Sequence, residues 1–140
     1  MFASAVASPA LGRRQAGAYT QMHAASWVDS ATPHGLITML VDGLMGAIAE
    51  ARGAVRSRNI PAKGAAIMRA VRILDEGLLA SLNLEDGGAL AAQLRGLYSY
   101  VSVRLTHANL HSDEAALEEC SQLIDTVRSA WKQIADRAPG

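Results

Sequence analysis

Apolar residues recur every three or four positions along four successive stretches of the chain, a spacing typical of amphipathic α-helices. No stretch alternates strictly between apolar and polar residues, as a half-buried strand would. The four apolar seams, in chain order, are Ile37, Leu40, Leu44, Ile48, Ala51 and Val55; Ile67, Val71, Leu74, Leu78 and Leu82; Leu90, Leu94, Leu97, Val101, Leu105 and Ala108; and Leu117, Cys120, Ile124, Val127, Trp131 and Ile134. This pattern predicts an all-α fold, an antiparallel up-down four-helix bundle.

Capping residues and helix breakers set the boundaries of these helices. The Thr32 hydroxyl can accept a hydrogen bond from a backbone N–H of the first turn, which has no partner within the helix. Pro33 suits the first helical position, because the N–H that proline lacks would have no partner there. Ser112 is expected to cap the fourth helix in the same way. The predicted ranges are about 32–58, 59 or 61 to 82, 88–110 and 112–135, with NLEDGG (83–88) as a connection.

The domain organisation follows from these ranges. A chain of 140 residues fits one domain with a real core. Residues 1–18, rich in Ala, Ser and Gly, are predicted to form a mobile N-terminal arm. Residues 19–137 form the bundle domain, including a short docking segment at 19–30 that packs on the bundle, and 138–140 form a tail.

Composition narrows the choice of partners. The 13 basic and 13 acidic residues give a formal net charge of zero, so neither nucleic acid nor an anionic membrane is expected as a partner. No uninterrupted apolar run approaches the ~20 residues that span a bilayer, so stable membrane insertion is not expected. Cys120 is the single cysteine, which excludes an internal disulfide and agrees with a reducing cytoplasm.

Candidate chemistry is sparse. His107 and His111 stand at a metal-ligand spacing, but no Cys or carboxylate joins them at a recognised zinc interval. The chain has no Glu-x-x-His pair, no phosphate-binding glycine loop and no G-x-S-x-G motif. Cys120 lies on the fourth seam, where packing is the expected role. We therefore expect no catalytic residue, no metal and no cofactor.

Three helices carry more apolar surface than a bundle core requires, since one stripe for each helix suffices. For any single position, weakly hydrophobic surface is a sufficient explanation. The repeated spacing favours a groove for a partner helix, with a homodimer face as the main rival. The extra positions are Leu36, Met39 and Ala47 on the first helix, Ile73, Gly77, Ala80 and Leu84 on the second, and Ala92, Gly96, Ser99, Val103 and Leu110 on the third.

Several short motifs occur in a characteristic order between about Ala18 and Ile134. They are AYTQM (18–22), SATPHGLITMLVDG (30–43), AKG (62–64), ILDEGLLASLNLEDGG (73–88), LRGLYSYVSVRLTHANLHSDE (94–114) and AWKQI (130–134). Together they resemble the flagellin-specific export chaperone family, FliS.

The resemblance implies a cytoplasmic, non-enzymatic helical bundle that binds the disordered C-terminal region of flagellin. Such binding prevents premature polymerisation and keeps flagellin competent for export. It also implies contact with a component of the flagellar export gate and, in some members, with other regulators of flagellin. The family's N-terminal arm is thought to lie over part of the binding surface in the free chaperone, and Tyr19 matches its tyrosine.

Two features depart from the family pattern. The arm before Tyr19 is longer than usual. Val41 replaces the aromatic residue that often precedes the Asp-Gly pair, so we expect a shallower contact there, or one repacked by Met39 or Met45.

The extra stripes and the resemblance give one site hypothesis. The outward stripes of the second and third helices hold flagellin helices, and Tyr19 and Met22 compete for nearby apolar surface. The alternatives are a helical homodimeric adaptor and a chaperone for another secreted client. The predicted flagellin-binding residues are Tyr19, Met22, Leu36, Met39, Ile73, Gly77, Ala80, Leu84, Gly96, Ser99, Val103 and Leu110.

Overall fold

The computed structural model describes residues 32–82 and 84–137, without the side chains of residues 84–86 and 135–137. The predicted arm and docking segment, with Tyr19 and Met22, lie outside the described residues, as does the tail at 138–140. The chain divides into two compact units, residues 1–36 and 37–140. Only the turn from Thr32 to Leu36 is described in the first unit, and the bundle belongs to the second.

Four α-helices account for nearly all of the described residues, and no strand occurs among them. The all-α bundle predicted from the apolar spacing is therefore confirmed. The helices are α1 (Pro33–Arg56), α2 (Ile60–Arg72), α3 (Leu84–His111) and α4 (Glu114–Arg137). A π-helical segment, Ile73–Leu79, continues directly from α2.

Contacts between side chains show that neighbouring helices run antiparallel. At the start of α4, Glu114 forms an ion pair with Arg56 at the end of α1, whereas Arg128 near the end of α4 pairs with Asp42. The other neighbours show the same reversal. Where α2 and its π-helical continuation meet α1, the contacts are Arg69–Glu50 and Gly77–Leu40. Where they meet α3, the contacts are Lys63–Asn109 and Asp75–Ser102, and α3 meets α4 through Arg104–Glu119 and Val101–Cys120.

The core is built from aliphatic side chains of all four helices. Most seam residues are buried or pack against the buried cluster. Leu90, Trp131 and Ile134 are the exceptions, and all three lie near a helix end. Trp131 is partly buried, whereas Leu90 and Ile134 remain 58% and 48% exposed. The fully buried large side chains are Val41, Leu44, Ile48, Ile67, Leu74, Leu78, Val101, Leu105, Leu117, Cys120 and Ile124.

Two expectations for α1 were wrong. Val41 has no exposed surface, so its size affects the core and not a contact with a partner. Ala47, expected beside the seam, is also buried in the core. Tyr98 is a buried residue that the seams did not include.

The outward orientation expected for Ile73 and Gly77 is also wrong. Ile73 packs against the core, and a Cβ atom placed on Gly77 would lie 3.0 Å from a methyl carbon of Leu40 in α1. Both residues belong to the π-helical segment, whose i→i+5 bonding widens the turn. Each stands next to a buried seam residue, Leu74 or Leu78, so the side of the segment that faces the core is wider than a single seam.

The turn from α1 to α2 ends the first helix and caps the start of the second within three residues. Arg58 adopts a left-handed conformation with φ 58°. Its N–H donates to the Val55 carbonyl at 3.2 Å, and the Asn59 N–H donates to Ala54 at 2.9 Å. This is a Schellman motif. The Asn59 side chain then accepts from the Ala62 N–H at 3.1 Å and caps α2.

The turn from α3 to α4 contains the same motif. Ser112 is left-handed, with φ 49°, and the Asp113 N–H donates to the Ala108 carbonyl at 3.1 Å. Asp113 accepts from the Ala116 N–H at 3.1 Å. Asp113, and not Ser112 as expected, therefore caps α4. The Ser112 hydroxyl instead accepts a hydrogen bond from Lys63.

Lys63 joins the start of α2 to the end of α3. It is only 5% exposed, and its ammonium donates to the Asn109 carbonyl at 2.8 Å and to the Ser112 hydroxyl at 2.7 Å. The last carbonyls of a helix have no partner within the helix. Lys63 satisfies one of them and fixes this end of α3 against α2.

Replacing Lys63 by methionine tests this tie. Lys63→Met keeps the length of the side chain but leaves the Asn109 carbonyl without its donor, so we expect a loss of about 1–3 kcal/mol in the free energy of unfolding. Urea unfolding followed by circular dichroism measures it. Lys132→Met, at an exposed position of α4, is the control and should change stability little. Equal midpoints for the two variants would contradict the role of Lys63.

A pair of glycine substitutions tests the backbone at the start of α3. Gly88 has φ 56° and ψ −133°, a conformation that strains any residue with a side chain, so Gly88→Ala should cost about 1–3 kcal/mol. Gly46 lies inside α1 with open space around it, so Gly46→Ala should stabilise by about 0.5–1 kcal/mol. Thermal unfolding of both variants should show shifts of opposite sign. A gain in stability from Gly88→Ala would contradict this non-helical backbone conformation at Gly88.

Candidate functional site

The side of α3 opposite the core carries no charged residue. Its core side presents Val101, Leu105 and Ala108, which have no exposed surface. On the opposite side Val103 and Leu110 are 68% and 78% exposed. We define the outer face of α3 as Ala92, Gly96, Ser99, Val103, Thr106 and Leu110, all of which are exposed.

The outward side of α4 shows what an ordinary bundle helix presents to solvent. Every exposed residue in its middle turns is polar: Glu118, Gln122, Asp125, Thr126 and Ser129. A surface helix normally has this one apolar stripe and one polar face. The outer face of α3 departs from that pattern, and exposed apolar surface of this kind marks interaction sites.

A polar cluster borders the outer face of α3 on the side of α4. The Tyr100 hydroxyl donates to Glu119, and the Arg104 Nε donates to the same carboxylate at 2.9 Å. The hydrogen bond from Tyr100, followed by that from Arg104, lowers the pKa of the Glu119 carboxyl. The same bond to Glu119 raises the pKa of Tyr100. The carboxylate therefore stays charged and holds α3 against α4.

An open pocket borders the outer face on the side of the π-helical segment. Its volume is ≈ 280 Å³, and its lining residues are Leu79, Leu82, Arg95 and Ser99. Ser99 belongs to both the pocket and the outer face. The sequence pattern identified Ser99 but not Arg95, although the two stand four residues apart on one side of α3.

The predicted site residues divide into three groups. Gly96, Ser99, Val103 and Leu110 lie together on the outer face of α3. Elsewhere, Ala80 is exposed, Leu36 is 44% exposed and Met39 is partly buried. The remaining predicted residues are Ile73 and Gly77, which face inward, Leu84, whose side chain is not described, and Tyr19 and Met22, outside the described residues.

The described residues offer no group of three His, Cys, Asp or Glu side chains that could hold a metal ion. The Nε2 atom of His107 lies 3.2 Å from the Asp113 carboxylate, and its ring contacts that of His111 at 4.6 Å between centroids. Cys120 is fully buried, and burial raises the pKa of its thiol to about 11. Its thiol is therefore protonated at neutral pH and poorly reactive.

By length and composition alone, α1 could cross a membrane. Its buried residues, however, supply part of the bundle core. Asp42 and Glu50 on α1 form ion pairs with α4 and α2. These contacts are those of a core helix in a bundle. Such a helix can be as long and as apolar as a membrane span.

Comparison with known proteins identifies the family. Residues 15–138 match the family model described as flagellar protein FliS. The chain is 44% identical to the flagellar secretion chaperone FliS of Salmonella typhimurium over 121 residues, which cover 86% of this chain and 90% of that protein. It is 40% identical to the flagellar secretion chaperone FliSB of Pseudomonas aeruginosa over 117 residues, or 84% and 92% of the two chains.

A third relative is the flagellar secretion chaperone FliS of Escherichia coli, 38% identical over 116 residues, or 83% of this chain and 85% of that protein. The resemblance drawn from the ordered motifs is confirmed. On the extent of the family match and these identities, the chain belongs to the FliS family of flagellar secretion chaperones.

Proposed function

We propose that this protein is a cytoplasmic chaperone of flagellar export that binds the disordered C-terminal region of flagellin. Binding prevents premature polymerisation and keeps flagellin ready for export. The observation that carries the proposal is the uncharged outer face of α3, where Val103 and Leu110 are exposed on a helix whose other side fills the core. Membership of a family of secretion chaperones supports it.

The outer face of α3 suits a helical segment of the client. Val103 and Leu110 are seven residues apart, so they lie two turns apart on one side of α3 and can contact two turns of an apolar helix at the same spacing. Gly96 has no heavy atom near the position of a Cβ, and Ser99 is small, so a second backbone can approach closely. Burial at ~25 cal/mol per Å² must outweigh the entropy that a disordered client loses on ordering.

The proposal includes partners beyond flagellin and an absence of catalysis. By family resemblance, the chaperone also contacts a component of the flagellar export gate and, as in some members of the family, other regulators of flagellin. It acts by binding and not by chemistry. Tyr19 and Met22 are proposed to compete with flagellin for apolar surface before the client arrives.

A charge placed on the outer face of α3 tests the proposal. Val103→Glu puts a carboxylate where a client helix buries apolar surface, so we expect at least about a tenfold rise in the Kd for the C-terminal segment of flagellin. Isothermal titration calorimetry measures the affinity. Ile73→Glu is unsuitable, because Ile73 packs against the core.

Thr126→Glu is the matched control, since it adds the same charge to the exposed polar side of α4. Both variants should keep the helical content and unfolding midpoint of the unmodified protein. Wild-type affinity in a folded Val103→Glu protein would show that the client uses another face. Light scattering across a dilution series would then test whether the outer face of α3 joins two copies of the chain.

A further inference from the structure

The pocket beside the outer face of α3 combines an apolar wall with a cation. Leu79 and Leu82 come from the end of the π-helical segment and the turn after it, and Arg95 and Ser99 come from α3. At ≈ 280 Å³, it has room for one large side chain and a small polar group. A ligand that fills it must therefore satisfy both an aliphatic surface and a guanidinium.

Arg95 differs from most arginines of the bundle in having no acidic partner in the part of the chain that the structure describes. Among the described residues, neither Arg95 nor Arg58 has an ion pair or a side-chain hydrogen bond. The arginines that do form ion pairs are Arg52, Arg56, Arg69, Arg72, Arg104 and Arg128. Arg95 alone of the two lines a pocket. None of the five N–H donors of its guanidinium has a side-chain acceptor among the described residues.

A carboxylate is the anion that an unmodified polypeptide can supply to a guanidinium, and the two groups form two parallel hydrogen bonds. The Ser99 hydroxyl, one turn along α3, can donate to the same group. An internal Asp or Glu of a partner brings its carboxylate at the end of a side chain, so a separate neighbouring residue must reach the two leucines. The end of a polypeptide brings a carboxylate and a neighbouring apolar side chain together, and recognition of this kind is a recurring mode of peptide binding.

We propose that this pocket binds the C-terminal end of the client chain. The terminal carboxylate lies on Arg95 and Ser99, and an apolar side chain of the chain end packs against Leu79 and Leu82. The inference rests on the proposed function and deepens it, because it assigns a direction to the client. The client helix on the outer face of α3 runs from Leu110 toward Arg95, antiparallel to α3.

The electrostatics of a helix support this direction. The C-terminal end of a client helix carries a partial negative charge in addition to the carboxylate, and a cation at that end is favourable. Leu110 lies about 16 Å from Ser99 along α3, at 1.5 Å for each residue. A client helix of about three turns therefore covers Leu110 and Val103 and ends at the pocket.

Amidation of the client's C-terminus tests the contact directly. Two synthetic peptides of the flagellin C-terminal segment are compared, one ending in a free carboxylate and one in an amide. Calorimetry with the full-length protein should show that the amide binds about tenfold more weakly, the size expected for an exposed charge-assisted contact. With Arg95→Gln, the two peptides should differ by less than about twofold.

Arg58→Gln is the matched control, since it removes the same charge from another exposed arginine that has no ion pair and does not line the pocket. It should preserve the tenfold difference between the peptides.

Equal binding of both peptides to the unmodified protein would overturn the inference and leave the proposed function intact. The inference also fails if only Asp or Glu replacements inside the peptide weaken binding, or if Arg95→Gln leaves the difference between the two peptides unchanged. Failure of both peptides to bind would overturn the proposed function, and this inference with it.

Discussion

Side chains from all four helices share one core, and their burial fixes which side of each helix faces solvent. Val41, Leu74, Val101 and Ile124 represent the four contributions, and none has exposed surface of any consequence. For α4 the arrangement leaves a polar outward side, as a self-contained bundle requires. For α3 it leaves Val103 and Leu110 in water. The same packing that stabilises the bundle therefore leaves an apolar face of α3 that the bundle itself does not bury.

That face belongs to a helix held firmly at its C-terminal end. Lys63 ties the last turn of α3 to α2, and Glu119 joins the middle of α3 to α4 through Tyr100 and Arg104. Because this surface is already ordered before binding, only the partner loses conformational entropy when the complex forms. This division fits a chaperone whose client is disordered and must later be released.

The sequence predicted the number of helices and most of the core, because heptad-like spacing depends only on which side of a helix is buried. It failed where local structure departs from an ideal α-helix. Gly77 lies in a π-helical segment and faces Leu40, and no feature of the residue types there signals the change of pitch. Ser112 and Asp113 are both good caps, and only the left-handed backbone at Ser112 decides between them.

The candidate site could be predicted in part. The uncharged stripe of α3 is visible in the sequence, since Gly96, Ser99, Val103 and Leu110 follow a helical spacing opposite the seam. The pocket could not be predicted, because Leu79 and Arg95 come from different helical segments and meet only in the folded bundle. The burial of Lys63 could not be predicted either. A lysine is almost never buried unless it has a partner, and the partner of Lys63, the Asn109 carbonyl, is known only from the structure.

Titration of the protein with the C-terminal segment of its own organism's flagellin, by calorimetry at several temperatures with circular dichroism in parallel, tests the central claim most directly. The account predicts a one-to-one complex, a negative heat-capacity change from burial of apolar surface, and a gain in helicity as the client folds on the preformed bundle. Absence of binding at micromolar concentrations, with a protein shown to be folded, would contradict it.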